Sequence, residues 1–214
     1  MIPIELLRTN IEQDVFDYTH LMEILSGYKK PRDVVTNLLK QNKIIRLRKG
    51  LYCFTTLWQK APVSKEMLAN LVYGPSAISL DYALAHYGLI PEQVSVFTSV
   101  TPGRSRFYDT PVGRFSYIHL PQPFYSFGLT IEKLNLQQWL IMQPLKALAD
   151  KVWTDKRFVP TSPGSFSEYF FQDLRIDETT LTGYINKNTL LEIETNYSTK
   201  KIRWMIDFLT RYKS

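Results

Sequence analysis

With 214 residues, 44% of them apolar and 21% charged, the chain holds enough material for one large domain or for a small module joined to a larger one. Cys53 is its single cysteine, which excludes an intramolecular disulfide framework and a cysteine-based zinc site, and no uncharged apolar run approaches the roughly 18 residues of a membrane span. The net charge of +6 is concentrated in two windows: residues 28–49 carry eight basic groups against Asp33 alone, and residues 195–214 carry five against Asp207.

Taken in chain order, the start Met1-Ile2-Pro3-Ile4-Glu5 lacks the basic and apolar segments of a signal peptide, so a cytoplasmic, reducing location is expected. Asp17-Tyr18-Thr19 leads into a helix in which Leu21, Ile24 and Leu25 share a face; Ser26-Gly27 ends it, with Gly27 expected in the left-handed position after the helix. A second helix starts near Pro31, a residue tolerated in a first turn because its missing N–H has no partner there. Val34, Val35, Leu38 and Leu39 form its apolar stripe, and Arg32, Asp33, Thr36, Asn37 and Lys40 form the opposite face. Ile44–Leu47 and Leu51–Phe54 then read as two strands around Arg48-Lys49-Gly50. Two short helices joined by a tight turn and followed by a basic-tipped hairpin match a winged helix-turn-helix; a small structural module that binds protein is the alternative.

Beyond Leu57, Ser64 is an expected N-cap for a helix over 65–73, and a further helix over 79–87 stops at Gly88 and Pro91. Strands are expected at 94–101, 113–120, 124–131 and 139–143, with Pro102-Gly103 turning between the first two, and a helix over 144–151. From Pro160 the chain opens with a loop and turns mostly helical, ending in a helix over 199–212 with the stripe Ile202, Met205, Ile206 and Leu209. The expected fold class is α+β: a winged helix-turn-helix over 1–57, then a mixed α/β domain over 58–214 whose C-terminal part, from about 160, is helical.

No catalytic or metal-binding residue is assigned, and no cofactor is expected. His20, His86 and His119 lack metal-ligand spacing, Cys53 reads as a small buried thiol, and no phosphate-cradling or nucleophile-elbow glycine motif is present. The carboxylates Glu168, Asp173, Asp177, Glu178, Glu192 and Glu194 would have to supply a metal-dependent nuclease, yet none is followed by Lys two positions on, and they read as exposed helix faces. The chain is therefore expected not to be an enzyme. Focused positive charge instead favours a polyanion, because neutralising phosphates releases condensed counterions; a solvated basic face is the bland alternative. The candidate DNA-binding residues are Lys29, Lys30, Arg32, Thr36, Asn37 and Lys40 around the second helix, and Arg46, Arg48 and Lys49 on the hairpin. Arg32, Thr36 and Asn37 are expected near base edges, with Lys40, Arg46, Arg48 and Lys49 on phosphates. Arg104 and Arg106 form a second candidate surface, and the C-terminal helix is a core element, a dimer contact or a further DNA arm.

Several stretches carry a family resemblance: Ile45-Arg46-Leu47-Arg48-Lys49-Gly50-Leu51-Tyr52, the run from Ser79 to Glu92 with Tyr82-Ala83-Leu84 and Tyr87-Gly88-Leu89-Ile90-Pro91-Glu92, Phe97-Thr98-Ser99-Val100-Thr101, and Pro144 to Asp150. Over roughly residues 16–152 the chain resembles the AbiEi-like antitoxins, the transcriptional-regulator half of abortive-infection type IV toxin–antitoxin pairs. Family members usually carry Glu where Leu145 stands, so no role for that carboxylate carries over. The resemblance implies an N-terminal winged helix that binds inverted repeats of double-stranded DNA in its own promoter. It also implies a larger C-terminal portion that counteracts a nucleotidyltransferase-like toxin without a stable complex. A protein-interaction module with an incidental basic arm and a metal-dependent DNA nuclease are the competing functions.

Overall fold

Ile4 and Leu7 bury one face of α1 (Ile4–Asn10), and Ile11 just after it is buried too, in the computed structural model, which describes residues 4–213. A strand that the sequence pattern did not suggest, β1 (Val15–Asp17), precedes α2 (Tyr18–Ile24), α3 (Pro31–Lys40) and the hairpin β2 (Ile44–Arg48) and β3 (Leu51–Phe54). β3 is the middle strand of an antiparallel sheet in the order β1-β3-β2. Successive residues of a strand point to opposite faces. Tyr52 and Phe54 accordingly join Phe16, Leu21, Val35 and Leu38 in a small core, whereas Leu51 and Cys53, with Leu47 of β2, enter the large core of the rest of the chain. This sheet is a wall shared by both cores.

The second part is built on α4 (Lys65–Val72), β4 (Ala77–Ile78), α5 (Leu80–His86), β5 (Val96–Thr101), β6 (Arg106–Thr110), β7 (Gly113–His119), α6 (Gln122–Tyr125), β8 (Leu129–Leu134), β9 (Gln137–Met142) and α7 (Pro144–Thr154). Its strands form one mixed sheet in the order β6-β7-β5-β4-β9-β8, with β5–β7 and β4–β9 parallel and the other pairs antiparallel. The chain is thus mixed α+β. Ser64 caps α4 as expected, its Oγ accepting from Met67 N–H at 3.1 Å.

Two expectations need correction, and one strand was not expected. The turn at Pro102-Gly103 leads from β5 into β6, so β7 returns to lie parallel to β5 rather than forming a hairpin with it. β6 escaped notice because it is an edge strand whose Arg106, Phe107 and Asp109 are all exposed, leaving no buried alternation to read. The strand expected over 124–131 starts only at Leu129: Pro121 and Pro123 favour the helical turn α6, and Gly128 at φ +67° redirects the chain into β8.

From Ser165 the chain is helical: α8 (Ser165–Glu168), a π-helical turn at Tyr169–Asp173, α9 (Glu178–Tyr184), α10 (Lys187–Tyr197) and α11 (Lys200–Lys213). The stripe Ile202, Met205, Ile206 and Leu209 of α11 is buried, and the helix packs on α7 and α10, so this stripe is core. A sealed polar cluster ties these helices together. The Lys146 ammonium donates to Asp150 Oδ1 at 2.5 Å and to Tyr197 Oη at 3.1 Å, Ser79 Oγ donates to Asp150 Oδ2 at 2.7 Å, and the Tyr197 hydroxyl also donates to Asp150. Lys146 and Asp150 are both 0% exposed. Burial lowers the Lys146 pKa, and the adjacent carboxylate opposes that fall. Gly128 lets the chain pass here, since a Cβ on it would meet Lys146 Cγ at 2.7 Å. Among the described residues no helix is long and apolar enough to cross a membrane.

Candidate nucleic-acid interface

α2 begins at a capped end, where Asp17 Oδ1 accepts from His20 N–H at 2.8 Å. It stops through backbone bonds alone, Leu25 N–H to Leu21 O and Ser26 N–H to Glu23 O. Gly27 does not occupy the left-handed region expected of it; the chain closes instead through Tyr28 N–H to Leu25 O, and the glycine is not conformationally required there. The reverse holds at the end of α3. Asn42, at φ +50°, takes the left-handed position, with Lys43 N–H bonded to Leu38 O and Asn42 N–H to Leu39 O. This double closure fixes where α3 ends and where β2 begins.

The burial of α3 follows its sequence pattern. Val35 and Leu38 are buried, while Arg32, Asp33, Thr36, Asn37 and Lys40 are exposed together, with Lys29 and Lys30 exposed just ahead of them. The Thr36 hydroxyl donates to Arg32 O at 3.0 Å, so toward a partner it offers only its methyl group and oxygen lone pairs. Lys30 stands at the N-cap of α3 without a side-chain hydrogen bond to the helix. A hollow of about 560 Å³ opens there, lined by Tyr18, Met22, Lys30, Pro31, Arg32 and Asp33. An uncapped helix start flanked by a lysine and an arginine suits an anion, although Asp33 stands on the same rim.

On the hairpin, Arg46, Arg48 and Lys49 are exposed. Gly50, at φ +86°, completes the two-residue turn, and its carbonyl accepts from Tyr18 N–H at 2.9 Å, which ties the tip to the start of α2. Leu47, Leu51 and Cys53 hold the other side of the hairpin on the large core, and β2 lies beside β6. Arg104 and Arg106, both exposed, belong to this adjoining edge. Burial pushes the Tyr117 phenol pKa upward, and the Arg48 guanidinium is near enough to oppose the push. The hairpin is therefore a braced element, and its strand β2 runs beside β6, which begins at Arg106.

Among the described residues, none of Lys29, Lys30, Arg32, Lys40, Lys43, Arg46, Arg48 and Lys49 forms an ion pair. The basic groups that do pair lie elsewhere: Arg8 with Asp14, Lys146 with Asp150, Lys151 with Asp81, Arg157 with Asp155, and Arg175 with Glu92.

Compared with models of known protein families and with curated proteins, the chain matches none.

The other titratable candidates have local roles. His20 takes the cap bond through its backbone, His86 stands edge-on to Tyr87 at 5.1 Å between ring centres, and His119 Nδ1 lies 2.8 Å from Gly103 O. Cys53 is buried, and burial, with the Asp14 carboxylate, pushes its pKa from 9.0 up to about 11. Asp177 caps α9 by accepting from Thr180 N–H, and Glu178 accepts from the Tyr212 hydroxyl. Among the described residues no three His, Cys, Asp or Glu gather as a metal site. Sequence reasoning missed the Lys146 cluster. Its one readable signal was a Lys–Asp pair four apart inside Pro144-Leu145-Lys146-Ala147-Leu148-Ala149-Asp150, where both charges sit among apolar residues.

Proposed function

We infer that the chain binds double-stranded DNA, with α3 directed at the major groove and the β2–β3 hairpin on the backbone, and that it represses its own promoter. The element order helix, strand, helix, helix, hairpin, with β1 beside β3, supports reading residues 1–57 as a winged helix-turn-helix. The observation that carries the reading is the unpaired charge on α3, on the two lysines just ahead of it and on the hairpin. Basic side chains without carboxylate partners keep their full attraction for phosphates, and the exposed α3 face interleaves them with Thr36 and Asn37, which are able to address base edges. Sequence resemblance extends the reading to an autorepressing antitoxin of an abortive-infection type IV system, opposing a nucleotidyltransferase-like toxin encoded beside it. Toxicity of the neighbouring gene, relieved by this chain in trans, tests that extension.

The direct test is binding to DNA from upstream of the gene and to scrambled DNA across a salt series with Mg²⁺ present. Preference for the upstream fragment, weakening with salt and without cleavage, is the expected result. Arg32→Ala with Asn37→Ala should cost about 1–3 kcal/mol per lost bidentate contact and erase the preference. Arg48→Ala with Lys49→Ala should weaken both fragments alike and flatten the salt slope by about 1.8, at roughly 0.9 per phosphate contact. If two half-sites are filled, their centres should lie about 34 Å or a multiple apart. Equal, weak binding to both fragments would turn the reading toward a protein partner, and metal-dependent cutting would turn it toward a nuclease.

A further inference from the structure

A second surface, at the opposite end of the chain, combines aromatic faces with positive charge. The end of α7, the loop after it and the start of α11 enclose a hollow of about 380 Å³, whose wall includes Trp153, Lys156, Phe158, Lys200, Lys201 and Trp204. Each lysine rests on a ring: Lys156 Nζ lies 4.4 Å from the centre of Trp153, Lys200 Nζ 4.5 Å from Trp204, and Lys201 Nζ 5.1 Å from Phe158. The aromatic wall is fixed from behind. Phe124 meets Trp153 edge-on at 5.3 Å, and Tyr169 stacks on Phe158 at 3.8 Å with the ring planes 2° apart. Lys201 is fixed as well, donating to the Asp155 and Phe158 carbonyls at 2.7 and 2.6 Å. Asp155 also borders the hollow, but its carboxylate is engaged by Tyr169 Oη and by Arg157 N–H. The Lys156 and Lys200 side chains are exposed, and the Lys156 ammonium also donates to the Trp153 carbonyl at 3.4 Å.

We propose that this hollow binds a single-stranded nucleic acid, stacking one base on the Trp153 and Trp204 indoles and holding its flanking phosphates with Lys156 and Lys200. Charge and shape select this occupant. A purely apolar ligand would leave the lysines idle and a simple anion would leave the indoles idle, whereas a nucleotide unit uses both. The volume suits one such unit, at the small end of the roughly 300–1,000 Å³ of small-molecule sites. Displacing the lysines from the rings is favourable. An exposed lysine–aromatic contact is worth about a two- to fivefold preference, and a base stacked on an aromatic side chain about five- to a hundredfold. The displaced ammonium then swings to phosphate. None of the residues lining this surface belongs to α3, so the two surfaces are tested by different substitutions.

The test is titration of the full chain with a short oligothymidylate, followed by tryptophan fluorescence and calorimetry over a salt series, with thymidine monophosphate as a second ligand. Saturable quenching by the oligonucleotide is expected, with affinity falling about five- to a hundredfold in Trp204→Ala. Lys156→Ala with Lys200→Ala, two changes at exposed positions, should flatten the salt slope by about 1.4, at roughly 0.7 per phosphate of a single strand. Arg32→Ala with Asn37→Ala should leave this binding unchanged while abolishing duplex preference, which separates failure of this site from failure of the α3 reading. No quenching, binding unchanged in both the Trp204 and the lysine variants, or the monophosphate binding as tightly as the oligonucleotide would each overturn the proposal.

Discussion

Helices α3 and α7 both carry lysine, and they treat it in opposite ways. On α3, Lys40 stands on an exposed face with Arg32 and Asn37, Lys30 just precedes it, and no carboxylate within the described residues pairs with either lysine. On α7, Lys146 is sealed from solvent and held by Asp150 and Tyr197, and Asp150 is held in turn by Ser79 at the start of α5. A charge that is exposed and unpaired adds little to stability and remains available to a polyanion. A charge that is buried and fully bonded offers nothing to a partner, and its removal exposes the fold to the cost of the ion left behind. One sequence thus divides its lysines between recognition and architecture, and the division can be tested from the stability side.

The largest effect is expected at the buried end. Lys146→Met leaves Asp150 ionised and unpaired in a dry core and should cost about 3–5 kcal/mol of unfolding free energy, read from denaturant midpoints. Adding Asp150→Asn removes the stranded charge while keeping one acceptor oxygen, for either Ser79 or Tyr197, and should recover part of that loss. A single variant losing less than about 1 kcal/mol would mean the cluster is not a dry ion pair and would erase the contrast with α3. A smaller effect is expected where the two cores meet. Between pH 9.0 and about 11 the thiol of Cys53 is ionised in the unfolded chain and protonated in the folded one. The folded state then binds more protons, so stability falls as pH rises through that window, by about 2 kcal/mol. Cys53→Ala should lose less stability over the same window. Parallel pH profiles for the two proteins would show that the shared wall is wetter than its burial implies.

How much of this was legible in the sequence depended on whether a feature is local. The amphipathic pattern of α3, the glycine at the hairpin turn and the Ser64 cap are each set by residues within a few positions, and each occurs where the pattern put it. β1 and β6 are held by partners distant in sequence, β3 for one and β7 for the other, and neither is amphipathic enough to announce itself. The exposed basic face could be read from α3 alone. The absence of acid partners around it could not, because it depends on how the whole chain folds past it. The Trp153–Trp204 hollow was likewise illegible: 50 residues of intervening chain separate two indoles that only the packing of α11 against α7 brings to one surface. Leu80 at φ +57° is another such case, a bulky residue in the left-handed region immediately after the Ser79 that bonds Asp150, with no turn motif to predict it.

The smallest expected effect separates the two uses of charge most sharply, because stability and binding should move in opposite directions. Lys30 occupies the N-cap of α3, where a serine hydroxyl would satisfy a backbone N–H and where the helix dipole disfavours a cation. Lys30→Ser should therefore stabilise the protein by about 1 kcal/mol while weakening DNA binding and lowering its salt slope by about 0.9. A stability gain with unchanged DNA affinity would place Lys30 outside the interface and leave the hollow at the start of α3 without a phosphate. A stability loss would show that the lysine is needed by the fold, and the line drawn between α3 and α7 would then have to be drawn residue by residue.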